Sequence, residues 1–485
     1  MKQNILKIFT LISALLLTLT SCDDYLDLQP KDSLIQQDFW KNKEQVKAAL
    51  AGCYASMNQS AFTDRVLKWG ELRADMVAPF TASGNDVNLM KNYMVPTNNL
   101  SDWRSFYATI NYCNLVLKFA DGAQANDLSF TEQELKTFKA EALTIRSLVY
   151  LILVKNFKEV PLVLTATSDN QVDFYVEKNT EQEILTQIIT DLESAVEDLN
   201  LSYADPRYDK GRMTKGGALA ILADTYLWNE QYDDCLSACT RINNLNKYEL
   251  VNGAEWFNSL FIEGNSVEGI FELQFDDIAA TVRNAFYWAN PDFIAFDGIQ
   301  SLYHEGGIND VRGLTSTFDD FLFVFKYTGL DRTGRYRGNN DFYNNFIFYR
   351  YADIKLMEAE AYILSTTQQD LQKAYDLINE VHQRAASNIV DPNINEPFLL
   401  EALLLERQKE FAFEGKRWHD LLRFAKRNNF QRQDLILNLV DFKAGDEDYD
   451  QILSFFSNTE SYYLPIYQDE LNRNHNLVQN PYYEN

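Results

Sequence analysis

Gly216-Gly217-Ala218-Leu219-Ala220-Ile221-Leu222-Ala223-Asp224-Thr225-Tyr226-Leu227-Trp228, the break Asn229-Glu230-Gln231, and Tyr232-Asp233-Asp234-Cys235-Leu236-Ser237-Ala238-Cys239-Thr240-Arg241-Ile242 together decide the fold. In the first segment Ala218, Leu219, Leu222, Ala223, Tyr226 and Leu227 recur in steps of three and four. Tyr232, Cys235, Leu236, Cys239 and Ile242 do the same in the second. That period is the apolar stripe of an α-helix, so the segment reads as two helices joined by a tight turn.

The same period spreads outward. Thr131 to Phe157 carries Leu135, Phe138, Ala142, Ile145, Leu148, Val149 and Ile152, and Glu181 to Leu199 carries Ile184, Ile188, Leu192, Ala195 and Leu199. A later pair, Tyr351 to Leu364 and Leu371 to Arg384, repeats the hairpin, and Phe398 to Lys426 reads as one further helical stretch. A helix, a tight turn and then Tyr-x-x-small is similar to the tetratricopeptide hairpin. Such a hairpin buries its apolar face only against neighbours, so several must stack. The expected fold is mostly α, an irregular stack of tetratricopeptide-like hairpins forming one large domain over residues 22–485. Two excursions interrupt it: the Asn-rich stretch 77–101 and the aromatic- and Asn-rich stretch 257–349. Within the second, Gly269 to Phe275 is the strand candidate, with apolar residues alternating from Phe271. Loops on a rigid frame are where binding function concentrates.

Composition narrows the function. The chain has 485 residues, 46% hydrophobic and 14% aromatic, with Tyr 27, Phe 32 and Trp 7, more aromatic surface than a core needs. Net charge is −26, and removal of residues 1–21, which carry Lys2 and Lys7 and no acid, takes it to −28. A body this acidic repels phosphate backbones, which argues against nucleic acid as a partner. The four histidines, His304, His382, His419 and His475, are far apart in sequence, and no metal site or cofactor is expected.

Residues 1–21 read as a signal peptide. Lys2 and Lys7 form a basic start, and the apolar run Ile8 to Leu19 is too short to span a bilayer. The run closes on Leu19-Thr20-Ser21-Cys22, which resembles a bacterial lipobox and implies acylation of Cys22. Several acyl chains on one residue anchor stably, at about 0.8 kcal/mol per buried CH₂. The other cysteines, Cys53, Cys113, Cys235 and Cys239, form no disulfide framework and read as core residues, with a Cys235–Cys239 bridge left open.

Catalytic motifs are absent: no GxSxG, phosphate-binding loop, HExxH or GxGxxG occurs. Asp446, Asp448 and Asp450 have the spacing of a calcium loop, but Gln451 and Ser457 stand where its Gly and Glu belong. The expectation is a binding protein and not an enzyme.

Several blocks in order resemble the SusD/RagB family of Bacteroidetes surface lipoproteins. They are Cys22-Asp23-Asp24-Tyr25-Leu26-Asp27-Leu28-Gln29-Pro30, Phe39-Trp40, Ala51-Gly52-Cys53-Tyr54, and Tyr349-Arg350-Tyr351-Ala352-Asp353-Ile354 with Glu358-Ala359-Glu360-Ala361. Glu406-Arg407-Gln408-Lys409-Glu410 through Glu414-Gly415-Lys416-Arg417-Trp418-His419-Asp420-Leu421 follows, then Leu464-Pro465-Ile466 and Gln479-Asn480-Pro481. Tyr467 and Tyr482 depart from the family's second Pro and its Gly. The charged residues of these blocks read as structural ion pairs, with Glu406, Glu410 and Arg417 on one helix face and Trp418 as a core anchor. The resemblance implies an outer-membrane, cell-surface lipoprotein. It would capture oligo- or polysaccharide and deliver it to a partner TonB-dependent channel of the SusC type. Binding of peptide or another polymer in the same lid role is the alternative, and a helical-repeat scaffold with protein partners only is the remote one.

Sugars offer apolar C–H faces to aromatic rings and hydroxyls to amides and carboxylates. Within the two excursions, where the resemblance places the ligand, Trp288, Tyr287 and Tyr93 are the expected stacking platforms. Asn85 and Asn290 are the expected hydrogen-bonding partners, Phe80 and Tyr303 are further aromatic candidates, and Arg73 and Asp75 lie just before the first loop in a supporting position. The acidic charge favours a neutral glycan.

Overall fold

The computed structural model describes residues 39–484 apart from 168–174, 276–282, 288, 305–309, 328–329, 332, 339–343, 387, 389 and 446–447. The signal peptide, Cys22 and Trp288 therefore lie outside the described residues.

The quoted hairpin is present as Lys215–Trp228 and Tyr232–Asn243, and the helices around it form where the periodicity puts them. In chain order the frame comprises α1 (Lys43–Met57), α2 (Ser60–Glu71), α3 (Gly84–Met90), α4 (Arg104–Asn126), α5 (Glu132–Phe157) and α6 (Glu181–Asp198). It continues with α7 (Lys215–Trp228), α8 (Tyr232–Asn243), α9 (Tyr351–Leu364), α10 (Leu371–Ala385), α11 (Glu396–Glu410), α12 (Arg417–Phe430) and α13 (Val440–Lys443). Helices α5 and α6 start at matching capping boxes. The Thr131 and Thr180 hydroxyls accept from Glu134 N–H and Glu183 N–H, and each glutamate accepts in return from its threonine's N–H. Such a cap contributes about 1 kcal/mol and fixes where the helix begins. Adjacent helices pack in sequence through α7·α8, α8·α9 and α9·α10, around one contiguous apolar core running from Val46 to Tyr483.

The expected single stretch Phe398 to Lys426 is two helices. The chain turns at Phe413 (φ 65°) and Gly415 (φ 72°), backbone that a helix does not contain. Glu71 of α2 fixes this turn: its carboxylate accepts from Phe413 N–H at 2.9 Å and Gly415 N–H at 3.0 Å. Gly70 lies against it so closely that a Cβ there would stand 1.7 Å from Gly415 O. Glu406 and Glu410 thus share α11 while Arg417 opens α12. The expectation of a single face bearing all three is corrected, because the left-handed turn redirects the chain between them.

Among the described residues, four short strands form two antiparallel ribbons. β1 (Val77–Pro79) pairs with β3 (Phe293–Ala295), and β2 (Gly269–Leu273) with β4 (Phe346–Arg350). All five residues of β2 are buried, including Glu272, whose carboxylate accepts from Asn265 N–H and from the Asn345 amide. The period-two pattern anticipated this strand but not its partner.

Buried charge ties the central excursion to the frame. Arg350 binds Glu268 at 2.7 Å, Glu414 at 2.9 Å and also Glu410, and Arg312 reaches Asp310, Glu406 and Glu410 at 2.5–2.6 Å. Arg350, Arg312, Glu268, Glu410 and Glu414 are at most 2% exposed or fully buried as side chains. Replacing such a network with apolar residues would cost little, but removing one partner strands the rest. Its effect is therefore positional: it fixes the excursion's register on α11. Cys53, Cys113, Cys235 and Cys239 are all buried free thiols in this structure, the Cys235–Cys239 pair that spacing left open among them.

Candidate functional site

The two excursions meet. Val77 faces Ala295, Ala78 faces Ile294 and Pro79 faces Phe293 in the β1–β3 ribbon. Phe80 N–H continues the ladder to Asp292 O at 2.9 Å, and Phe296 N–H to Met76 O at 3.1 Å. On the other edge of β3, Ala295 N–H donates to Leu322 O at 2.8 Å, which brings Phe321 and Phe323 alongside.

A cleft of about 520 Å³ opens beside this ribbon. Its walls are Pro79, Val87 and Met90 on one side and Phe296 and Phe442 on the other, with Lys91 and Asp297 at the rim. Phe442, on α13, is 56% exposed. Its ring meets that of the half-buried Phe296 edge to face, with centroids 5.9 Å apart. A volume in the range of small-molecule sites, apolar walls and a few polar groups fit a ligand with apolar faces and hydroxyls. Beyond the cleft, Phe80 (57% exposed), Phe323 and Phe321 (71% exposed) form a ridge, with centroid spacings of 6.4 and 6.2 Å. Tyr93, also exposed, stacks on Phe455 at 5.0 Å.

The floor is charged but neutralised. Asp75 takes both Arg417 Nε and Nη2 at 2.9 Å. Burial works against its charge, yet the guanidinium prevails and holds the carboxyl below its usual range. Lys443 donates to Leu72 O at 2.9 Å, and burial lowers its pKa to about 8 against the pull of Asp75 and Glu71. Lys91 pairs with Asp448 above. Aromatic walls over a self-compensated floor suit binding by contact and hydrogen bonding. Among the described residues no group of three or more His, Cys, Asp or Glu is placed to hold a metal ion.

The expected residues divide. Phe80 and Tyr93 are exposed, Asn290 is exposed on the turn that hydrogen-bonds to Tyr287 O, and Tyr287 is half-buried. Asn85, half-buried in α3, donates to Asn99 Oδ1 at 3.1 Å, and its carbonyl accepts from Asn98, so its amide is already engaged. Asp75 lies under the cleft as support. Arg73 and Tyr303 are interior: the ligand contact expected of Tyr303 is corrected, and so is the loop-supporting position expected of Arg73, which does not line the cleft. Arg73 lies 3.9 Å from the Trp418 ring centroid and donates to Tyr462 O. Tyr303 donates its hydroxyl to Lys409 O at 2.9 Å. A guanidinium on a buried indole and a phenol under α11 are packing elements. Sequence reasoning did not single out Phe296, Phe321, Phe323, Phe442 and Phe455. The Phe321-Leu322-Phe323 run in the central stretch was the available signal. Phe442 and Phe455 carry none, because their ring partners, Phe296 and Tyr93, stand far earlier in the chain.

Comparison with known proteins matches the model described as "SusD family" over residues 294–483 and that described as "Starch-binding associating with outer membrane" over residues 24–227. The chain belongs to the SusD/RagB family. It is 27% identical to SusD-like protein P2 of Formosa agariphila, over 96% of this chain and 97% of that protein. Its fold is shared with a SusD superfamily protein from Bacteroides vulgatus at a TM-score of 0.75 and 21% identity, covering 91% of this chain and 99% of the other. A laminarin-binding SusD-like protein superposes at a TM-score of 0.68 and 20% identity, over 91% and 99%. Two of these descriptions, the starch-binding model and the laminarin-binding structure, name a binding role. No helix among the described residues of this SusD/RagB member is long and apolar enough to cross a membrane.

Proposed function

We propose that this SusD/RagB member is a cell-surface lipoprotein, anchored through Cys22, that captures oligo- or polysaccharide without cutting it and passes it to a SusC-type TonB-dependent channel. The observation that carries the reading is the β1–β3 pairing, which turns two excursions distant in sequence into one aromatic-walled cleft. The laminarin-binding fold neighbour supports a glycan ligand, and the family match supports the outer-membrane setting. Phe296 and Phe442 stack on sugar faces, Asp297 and Lys91 meet hydroxyls at the rim, and a longer chain continues over Phe80, Phe323 and Phe321. Tyr93, Tyr287 and Asn290 belong to the same reading as outlying contacts, and Trp288 belongs to it as a stacking platform. The acidic balance of the chain and the rim carboxylate favour a neutral glycan over a polyanionic one. A glycan array followed by calorimetry tests this: neutral glycans bind, Phe442→Ala weakens them, and no reducing sugar is released. Retention of full affinity by Phe442→Ala would remove the cleft from the reading. Release of reducing ends would end the non-enzymatic one.

A further inference from the structure

Three hydrogen bonds fix the register of the N-terminal segment, α1 and its extension, against α4. Lys43 N–H donates to Asp127 Oδ2 at 2.9 Å, Ser56 Oγ and Thr109 Oγ1 share a hydrogen at 2.7 Å, and Ser105 Oγ donates to Ala61 O at 3.0 Å. Numbers rise along one partner as they fall along the other, so α1 and α4 are antiparallel. One turn from the Ser56–Thr109 contact, three residues back on α1 and four onward on α4, stand Cys53 and Cys113. Both are fully buried in this seam. The Cys53 thiol donates to Ala49 O at 3.6 Å, and the neighbouring Cys113 thiol, then burial, holds it well above its ordinary range. The contact of Ser56 with Thr109 through short side chains shows that the helix backbones approach closely here.

We propose that Cys53 and Cys113, free thiols in this structure, are a redox modification site, closing into a disulfide that staples α1 to α4 in the exported protein. The export itself rests on the lipoprotein reading above. The oxidant is a disulfide donor of the cell envelope. The thiolate of one cysteine attacks a donor sulfur, a mixed disulfide forms and one donor thiol leaves. The thiolate of the second cysteine then displaces the other donor thiol. Two cysteine thiols lose two electrons and two protons, and one donor disulfide becomes two thiols. The step belongs to folding, before the seam closes, because both folded thiols are sealed from solvent and the Cys53 thiolate is disfavoured. The second pair does not share this geometry. Cys235 and Cys239 are four apart on α8, where Cβ atoms stand about 5–6 Å apart, against about 3.5–4.5 Å in a disulfide. They are the built-in control.

The site has a mechanical rationale. α1 is the first long helix among the described residues, so a pull on an anchor at Cys22 reaches it before the rest of the described frame. A bond from α1 to α4 spreads that load into the α4–α5 packing, and the closed loop spans residues 53–113, long enough to restrict the unfolded chain strongly.

The test maps peptides of the full chain, alkylated at lysis of cells that export it and digested without reduction. The expected result is one cross-linked species joining the Cys53 and Cys113 peptides, with Cys235 and Cys239 alkylated. Free alkylated Cys53 and Cys113 in an envelope fraction would overturn the proposal. Fractionation of the same cells reports on export separately. A second arm unfolds the purified full chain and refolds it with glutathione disulfide. Closure of the same pair supports the site, and four free thiols or a Cys235–Cys239 link overturns it. Reductant should lower the unfolding midpoint of the oxidised wild type and leave that of the double variant Cys53→Ala, Cys113→Ala unmoved.

Discussion

The Phe442 ring stands edge-on to the Phe296 ring, planes at 89° and centroids 5.9 Å apart, so a short C-terminal helix and the end of β3 build one wall of the cleft. More than half of Phe442 remains exposed, which leaves ring surface available for a ligand. Phe442→Ala should weaken glycan binding by roughly tenfold, the equivalent of about 1.4 kcal/mol. The unfolding midpoint should move less than for a core phenylalanine, since more than half of this side chain is already in solvent. Calorimetry beside a thermal melt separates the two effects.

The Phe80–Phe323–Phe321 ridge lies beyond the cleft on the same ribbon. Phe321→Ala should leave the affinity for short oligosaccharides intact and weaken binding of the corresponding polymer by a few fold. Titrations over a series of chain lengths read this out. Equal losses at every length would place Phe321 inside the primary site.

Arg350 is the charge on which Glu268, Glu410 and Glu414 converge, all fully buried. Arg350→Gln leaves these carboxylates short of a partner and should cost about 3–5 kcal/mol of stability. Denaturant unfolding measures it. Glycan affinity of the remaining folded fraction should fall as well, because the network sets the register of the central excursion on α11.

His419 and His382 titrate with opposite consequences. Burial, then Lys155 and Arg73, lowers the His419 pKa to about 3, while its Nε2 faces Asn156 Oδ1 at 3.2 Å. Between the unfolded value near 6.5 and about 3, the unfolded chain holds a proton that the native one refuses. Stability is therefore lost as pH falls through this window, by up to about 1.4 kcal/mol per unit. His419→Gln should flatten the loss between about pH 6.5 and 4.5. For His382, burial opposes the charge, but the Glu406 carboxylate at 2.8 Å and Asn388 raise the pKa on balance. Its contribution is complete below the unfolded value and disappears as pH rises through the raised one, so His382→Gln should remove that alkaline-side loss. Denaturant midpoints across pH check both signs.

The residues of α5 to α10 announce themselves because a 3.6-residue stripe is a local property. Leu135 to Ile152 or Ala218 to Leu227 show the period with no knowledge of their partners. Capping reinforces it, and Thr131 with Glu134 marks a helix start from four consecutive residues. The family blocks are equally legible, since each is a short string. α11 and α12 look like one helix in the sequence because the break depends on Glu71 and Gly70, more than 340 residues earlier.

The sequence by itself determined a stacked helical frame, two excursions long enough to carry a site, and an acidic, aromatic-rich composition suited to binding by contact. Only the tertiary structure decided that Val77–Pro79 pairs with Phe293–Ala295, that Phe442 joins the cleft, and that Arg73 and Tyr303 face inward. Helical periodicity is written in neighbours three and four residues apart. Strand pairing, exposure and the choice of which aromatic meets solvent are set by contacts between residues hundreds of positions apart, which no local pattern encodes.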